Sequence, residues 1–339
     1  MKLSICIPTY NRAKLLVNCL ESIKASDLAA DVQVCISDNC STDDTEQVVI
    51  AAAECIPIKY EKNSINIGLA RNIIRVAEMA EGEFIWMIGD DDLLMPDAIN
   101  EVVRLINKYK DVDYFYINSS HLTTEYVLSF PQPFSLLNLP QDMKRFSSRK
   151  TSGEMPFMDM INPSVSFDFL GGIFLSVFRR QNWCFSVGVI HQADILDERV
   201  FSNFDNTFPH IKVFAKAFSH SKAFFYAKPL SVCLAGAREW TPMYSLIKSV
   251  RLVEAVDQYR QNGLPFLRYL RCKNTALNSF IPDMVYMCMN KKTSGYKYVN
   301  PLKLAFRDCL YPNLYLSPLY YILRKVRRIM VSLMLTQSV

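Results

Sequence analysis

Two hydrophobic periods alternate along the first 120 residues. Leu3-Ser-Ile-Cys-Ile7 is a short buried-strand run that stops at Pro8, and Arg12 to Ala25 then carries apolar side chains at Leu15, Leu16, Cys19, Leu20 and Ile23, the spacing of one helix face. Val32 to Ile36 is a second strand. Ser41 with Asp44 three residues on predicts a capping-box-like start for a helix over 42–53, with Asp in place of the usual Glu. A short third strand over 58–61 precedes a helix over 68–80 whose apolar positions are Leu69, Ile73, Val76, Ala77 and Ala80. Phe84 to Ile88 is apolar throughout and reads as a fourth strand. Pro96 suits the first turn of a helix running to about Lys110, and Tyr114 to Ile117 closes the series as a fifth strand.

Strands separated by helix-length crossovers predict an α/β fold with a mostly parallel sheet and helices on both faces. Ligands of such sheets bind outside the carboxyl ends of the strands. Each polar cluster of this region falls just there. Pro8-Thr-Tyr-Asn-Arg12 follows the first strand, Asp38-Asn-Cys-Ser-Thr42 the second, and Asp90-Asp-Asp92 the fourth. From about His121 to Ser166 the periodicity dissolves, a length that suggests an excursion facing a substrate rather than an ordinary connection. Strand-like order resumes over 171–180, and the chain beyond about Ala237 is predicted helical.

Composition narrows the class. Half of the 339 residues are hydrophobic and 21% are charged, a globular balance, and a net charge of +5 gives no case for nucleic acid. Ten cysteines lack any C-x-x-C spacing and only four histidines are present, which predicts reduced core thiols, a reducing compartment and no zinc site. The N-terminus opens on a strand without an apolar leader, and no apolar run approaches the ~20 residues of a spanning helix. A cytoplasmic protein is expected.

Three adjacent carboxylates repel one another, so Asp90, Asp91 and Asp92 are best accommodated where a cation sits among them. Mg²⁺ or Mn²⁺, which prefer oxygen ligands and bridge carboxylates to phosphates, suit a cluster at the end of an apolar strand. The alternative is a solvated loop whose acids favour the following helix. Asp38 is placed to accept hydrogen bonds from a base or ribose, or merely to form a turn with Asn39. Asn66 and Gly68, then Arg71 and Asn72, place a glycine turn at a helix start with an arginine one turn in, which is either a phosphate-binding arrangement or an arginine on the helix surface. Arg12 stands similarly at the start of the first helix.

Taken together, Ile-Pro-Thr-Tyr-Asn-Arg at 7–12, Ser-Asp-Asn-x-Ser-Thr-Asp-x-Thr at 37–45, the Asn66 to Asn72 segment and Gly-Asp-Asp-Asp-x-x-x-Pro at 89–96 resemble the nucleotide-sugar half of family 2 glycosyltransferases, which have the GT-A fold. The motifs stand in that family's order and spacing. The resemblance is strong over about 1–120 and weak over 165–235. It implies a nucleotide diphosphate sugar donor framed by Pro8, Thr9, Tyr10 and Asp38. The aspartates would hold the ribose (Asp90) and a Mn²⁺ or Mg²⁺ on the diphosphate (Asp91 and Asp92). In many relatives an Asp stands two residues before the metal ligand; here those positions are either Asp90/Asp92 or Gly89/Asp91, and the second register makes Asp91 the ligand. By the same resemblance 1–120 is the donor half, 121–236 the acceptor half, and 237–339 a helical C-terminal region.

Relatives commonly supply a general base from a Glu-Asp pair before a helix in the second half. Here that stretch reads Phe204-Asp-Asn-Thr-Phe-Pro-His210, without the pair, leaving Asp205 or His210 as candidate bases or both as structural residues. This segment and Gly171-Gly172 resemble the branch containing abequosyltransferases and other O-antigen transferases of enteric bacteria. That branch implies a surface-polysaccharide acceptor carried on undecaprenyl diphosphate, and a dideoxyhexose donated from a CDP-sugar. A nucleotidyltransferase is the poorer fit, because no Gly-rich loop follows the first strand. The missing pair keeps open a catalytically silent nucleotide-sugar-binding or scaffold protein.

At the C-terminus, Leu319, Ile322, Leu323, Val326, Ile329, Met330 and Leu333 form an apolar stripe, with Arg324, Lys325, Arg327 and Arg328 on the opposite arc and no acidic residue after Asp308. A helix over 318–335 lying on the inner face of the plasma membrane is expected, against the alternative of a helix packed on the core with solvated arginines.

Overall fold

The computed structural model describes residues 1–26, 31–197, 200–236 and 240–336. The predicted α/β alternation is present. Strands β1 (Leu3–Thr9), β2 (Val32–Asp38), β3 (Ile58–Lys62) and β4 (Phe84–Met87) alternate with helices α1 (Ala13–Lys24), α2 (Thr45–Ala53) and α3 (Leu69–Glu78), and α4 (Ala98–Lys108) follows. These four strands pair in parallel in the order β3-β2-β1-β4. Side chains of a strand point alternately to the two faces, and the core divides accordingly. Leu3, Ile5 and Ile7 of β1 with Phe84 and Trp86 of β4 pack on one side with Leu16, Leu20, Val102 and Leu105 of α1 and α4. Cys6, Ile85 and Met87 face the other side, where α3 contributes Ile73, Val76 and Ala77.

The second half departs from a simple continuation of the sheet. The remaining strands are β5 (Leu93–Leu94), β6 (Tyr114–Thr123), β7 (Gly153–Pro156), β8 (Ser176–Arg179) and β9 (Lys222–Ala235). β6 does not lie beside β4, because β8 inserts between them antiparallel to both. The 171–180 run is therefore a strand only over its last part, preceded by a 3₁₀ turn at Ile173–Leu175 whose Phe174 carbonyl accepts from Trp86 Nε1 at 3.1 Å. β9 runs parallel to β6, with a register shift between Ile117 and Ser119. At that shift Asn118 is buried and donates to the Ser147 and Ala227 carbonyls at 3.0 Å each, which draws the irregular 124–152 segment back onto the sheet.

Two helix starts differ from the sequence expectation. Ser41 does not cap α2: the helix begins at Thr45, and Ser41 Oγ accepts from the Asn11 amide at 2.8 Å. Pro96 precedes α4 by two residues, with Asp97 between them in the left-handed region at φ 64°. All ten cysteines are free, five of them buried (Cys6, Cys19, Cys35, Cys233, Cys272), while Cys55, Cys184 and Cys288 are exposed rather than in the core. From Thr241 to Thr336 the described chain is a succession of helices. No helix among the described residues is long and apolar enough to cross a membrane.

Candidate active site

The rim at the carboxyl ends of β1, β2 and β4 gathers most of the predicted residues. Thr9 and Asp38 end neighbouring parallel strands in direct register. Thr9 Oγ1 donates to Asp90 Oδ2 at 2.8 Å across the β1–β4 boundary. Arg12, at the start of α1, brings Nη1 to 3.3 Å from Asp91 Oδ2 and 3.6 Å from Asp90 Oδ1. All three aspartates are buried. Burial, and then the neighbouring Asp91 charge, pushes the Asp90 carboxyl up to about 7, against the opposing pull of Arg12 and Thr9.

The aspartates divide their work. Asp92 Oδ2 accepts from the Gly89 amide at 2.8 Å, which turns its carboxylate back to close the bend after β4. Asp91 also crowds Gly89: a Cβ there would lie 2.7 Å from Asp91 Oδ1 and 3.0 Å from Asp92 Oδ2, so only glycine leaves those carboxylates room. Of the two predicted metal ligands, Asp91 is the one whose carboxylate faces Arg12 and Asp90, and Asp92 supports the turn. No group of three His, Cys, Asp or Glu side chains arranged to hold a metal occurs among the described residues. Asp90 and Asp91 nevertheless fit a hard divalent cation that takes its other ligands from phosphate and water. Both offer oxygen, and burial beside the Asp91 charge keeps Asp90 from full ionisation.

The neighbouring loops are stitched by side chains rather than by sheet pairing. Asn11, at φ 51°, accepts the Thr42 amide on Oδ1 at 2.8 Å, and Asp43 accepts the Ala13 amide at 3.0 Å. Asp38 is fully buried, with Oδ1 taken by the Ser41 amide and Oδ2 by the Tyr60 hydroxyl, both at 2.8 Å. It therefore anchors the loop after β2 as well as bordering the site. Asn39 bonds Asn66 at 2.7 Å and the Ile67 amide at 2.8 Å, and Asn66 Oδ1 accepts the Gly68 amide at 2.9 Å. Gly68, at φ 85°, starts α3 in a conformation that favours glycine. Asn72 is buried beneath, bonded to Ser37 and Asn63. Pro8 is half-buried and Tyr10 exposed on the rim. Arg71 is half-buried and, among the described residues, has neither ion pair nor hydrogen bond, whereas Arg75 one turn on pairs with Glu61.

The two candidate bases are placed differently. Asp205 lies in a helical turn, Phe204–Thr207, that packs against α3. It is buried, accepts the His191 amide at 2.8 Å, and pairs with Lys212 at 2.6 Å. His210 is in the aromatic core, edge-on to Phe208 and Phe214, with Nε2 3.0 Å from the Leu170 carbonyl. Burial holds its pKa down at about 4. This geometry speaks against His210 as a base and gives it a structural task. Phe169 and Leu170 both have positive φ, 52° and 65°, and that strained pair is clamped by His210, by Tyr259 (3.0 Å to the Phe169 carbonyl) and by Asp168, which accepts from Ser166 Oγ at 2.6 Å and the Gly172 amide at 2.8 Å. Asp168, Tyr60 and Lys212 were not singled out by sequence, since each acts through a partner distant along the chain.

Beside Arg12 an open cavity of about 1020 Å³ lies between the start of α1, the Thr123–Ser129 segment and Ala235–Gly236 at the end of β9.

The topology, β8 inserted antiparallel beside the parallel β3-β2-β1-β4 half, is that of a GT-A scaffold. Residues 4–165 match the model of glycosyl transferase family 2. It is 36% identical over 115 residues to abequosyltransferase RfbV of Salmonella typhimurium, covering 33% of this chain and 34% of the relative. Over 109 residues it is 34% identical to the GalNAc(5)-diNAcBac-PP-undecaprenol beta-1,3-glucosyltransferase of Campylobacter jejuni, covering 32% and 35%. The match thus spans about a third of these curated relatives. Among solved structures, S. aureus TarS 1–349 in complex with UDP superposes with a TM-score of 0.56 at 16% identity, covering 83% of this chain and 72% of that one. The mannosyltransferase PcManGT from Pyrobaculum calidifontis, in complex with GDP-Man and Mn²⁺, does so at 0.51 and 14%, covering 97% and 87%. At such identities the superpositions bear on the fold, and the fold is GT-A.

Proposed function

We propose that the chain transfers a sugar from a nucleotide diphosphate donor to a glycan acceptor, with Mn²⁺ or Mg²⁺ bound at Asp91 and Asp90. The observation that carries this reading is the convergence of Thr9, Arg12, Asp90 and Asp91 on one rim around a buried acidic pair. Bound there, the cation would neutralise charge on the departing diphosphate. Arg71, which lacks a protein partner among the described residues, contributes the second cationic group toward the phosphates. Thr9 and Arg12 hold Asp90 in place near the ribose, while Pro8, Tyr10 and the Asp38–Tyr60 pair shape the wall for the base. Asp205, on the turn packed against α3, is the candidate to accept the proton of the acceptor hydroxyl.

The named activities of the Salmonella and Campylobacter relatives support a finer reading. The donor is a CDP-linked dideoxyhexose such as abequose, and the acceptor is an undecaprenyl-diphosphate-linked oligosaccharide of O-antigen type, met at the inner face of the plasma membrane. The test is release of nucleoside diphosphate from CDP- and UDP-sugars, with Mn²⁺ and with undecaprenyl-diphosphate-linked saccharides as acceptors. Acceptor-dependent release abolished by EDTA is expected. Nucleotide binding without release under any acceptor would leave a silent binding protein instead.

A further inference from the structure

The C-terminal region concentrates positive charge and exposed apolar surface together. Residues 284–339 hold nine Lys and Arg against one Asp, whereas the preceding 283 residues hold 29 Lys and Arg against 32 Asp and Glu. The last described helix, Pro312–Thr336, is attached to the body along one face only. Asn313 bonds Asn274 and Asn278, Ser317 is buried and accepts the Ile281 amide, and Arg324 reaches the Asn278 carbonyl and Ser279. At 3.6 residues per turn the opposite face carries Leu319, Ile322, Leu323, Val326, Ile329 and Met330, each between 46% and 56% exposed. Lys325 and Arg327 fall on the two flanks of that stripe. The side chains of Arg328 and Leu333, part of the sequence expectation, lie outside the described residues.

A second apolar ridge adjoins the first. In the short helix Pro301–Arg307 and the turn after it, Leu302, Phe306 and Leu310 recur every four residues and are 83%, 83% and 90% exposed. Tyr315 of the long helix bonds the Cys309 carbonyl at 2.9 Å, which fastens this ridge to the start of the stripe.

We infer that residues 302–330 form a two-element docking surface for an anionic lipid bilayer, with the stripe and the Leu302–Phe306–Leu310 ridge entering the acyl boundary and Lys325 and Arg327 meeting the headgroups. Charge decides the occupant. A second copy seated on the same stripe would bring Lys325, Arg327 and their counterparts together with no acidic residue beyond Asp308 to pair them, and Asp308 is already buried against Arg307 and Lys273. An anionic surface satisfies both the apolar stripe and its basic flanks, since long basic side chains extend their charge to the headgroups while their stems cover apolar surface. This gives the membrane expectation a defined face, and adds a ridge that the amphipathic pattern of the last helix did not contain.

The test is co-sedimentation of the full chain with vesicles of phosphatidylethanolamine and phosphatidylglycerol, compared with vesicles of phosphatidylcholine alone, at low and high salt. Binding to the anionic vesicles, weakened by salt and by about tenfold on phosphatidylcholine, is expected. The exposed-site variants Leu319→Gln with Leu323→Gln, and separately Phe306→Ser, should each lower partitioning by at least about tenfold without changing the unfolding midpoint. Lys325→Glu with Arg327→Glu should abolish the preference for anionic lipid. The inference is overturned if the chain ignores both vesicles. It is equally overturned if sedimentation shows a dimer that the Leu319/Leu323 variant converts to monomer, which would assign the stripe to a second copy. Nucleotide binding by the same variants is read separately, so failure here leaves the transfer reading standing.

Discussion

Replacing His210 with Gln tests what the imidazole does. The ring is buried against Phe208 and Phe214 with Nε2 on the Leu170 carbonyl, and its pKa is held at about 4 rather than 6.5. Below pH 6.5 the unfolded chain takes up a proton that the native ring refuses until about pH 4. The neutral ring's contribution to stability is therefore complete above pH 6.5 and is lost as pH falls through about 4. The shift corresponds to about 3 kcal/mol in full, of which about 2 kcal/mol is gone at pH 5. Gln does not titrate and can still donate to the Leu170 carbonyl, so the variant carries a constant packing cost and loses this pH dependence. Urea unfolding of both proteins at pH 8 and pH 5 gives a double difference in which other titrating groups cancel. The expected value is about 2 kcal/mol in favour of the variant at the lower pH. An equal gap at both pH values would refute the reasoning, showing that the native ring is solvated and returning His210 to the candidates for base.

Other perturbations report on the rim. Tyr60→Phe strips the donor from Asp38 Oδ2 in a fully buried place and should cost about 1–3 kcal/mol in urea unfolding; no loss would mean that the carboxylate finds water. Gly89→Ala places a Cβ 2.7 Å from Asp91 Oδ1, so metal-dependent nucleotide affinity measured by calorimetry should fall by about tenfold or more, and an unchanged affinity would remove Asp91 from the cation's ligands. Asp205→Asn should reduce acceptor-dependent release of nucleoside diphosphate by about a hundredfold or more while nucleotide binding persists; a loss below about tenfold would exclude it as the base.

The first 120 residues were legible because their signals are local. Strand runs such as Leu3–Ile7 and Phe84–Met87, separated by helix-length stripes, specify the parallel order, and the rule of ligands at strand ends then places Thr9, Asp38 and Asp90 together. What escaped depends on long-range pairing. The insertion of β8 between β4 and β6 follows from contacts between segments about 60 and 90 residues apart, to which periodicity is blind. The division among the aspartates is also tertiary: Asp92 was indistinguishable from Asp91 until the Gly89 amide claimed it. Ser41 has the composition of a cap, but the loop after β1 competes for its hydroxyl through the Asn11 amide. His210 has the composition of a base, and only the packing of the second half shows that a strained Phe169–Leu170 turn needs its ring.

The most direct test of the account is the thermal midpoint of the protein with UDP, GDP, CDP or dTDP, each with Mn²⁺ or with EDTA, repeated for Asp91→Asn. A ligand that binds only the native state raises the midpoint. One nucleotide should stand out, only with Mn²⁺, and the shift should vanish in the variant while its midpoint without ligand stays close to that of the natural sequence. No shift with any nucleotide in either condition, or a shift indifferent to both EDTA and Asp91→Asn, would contradict a metal-dependent donor site on this rim.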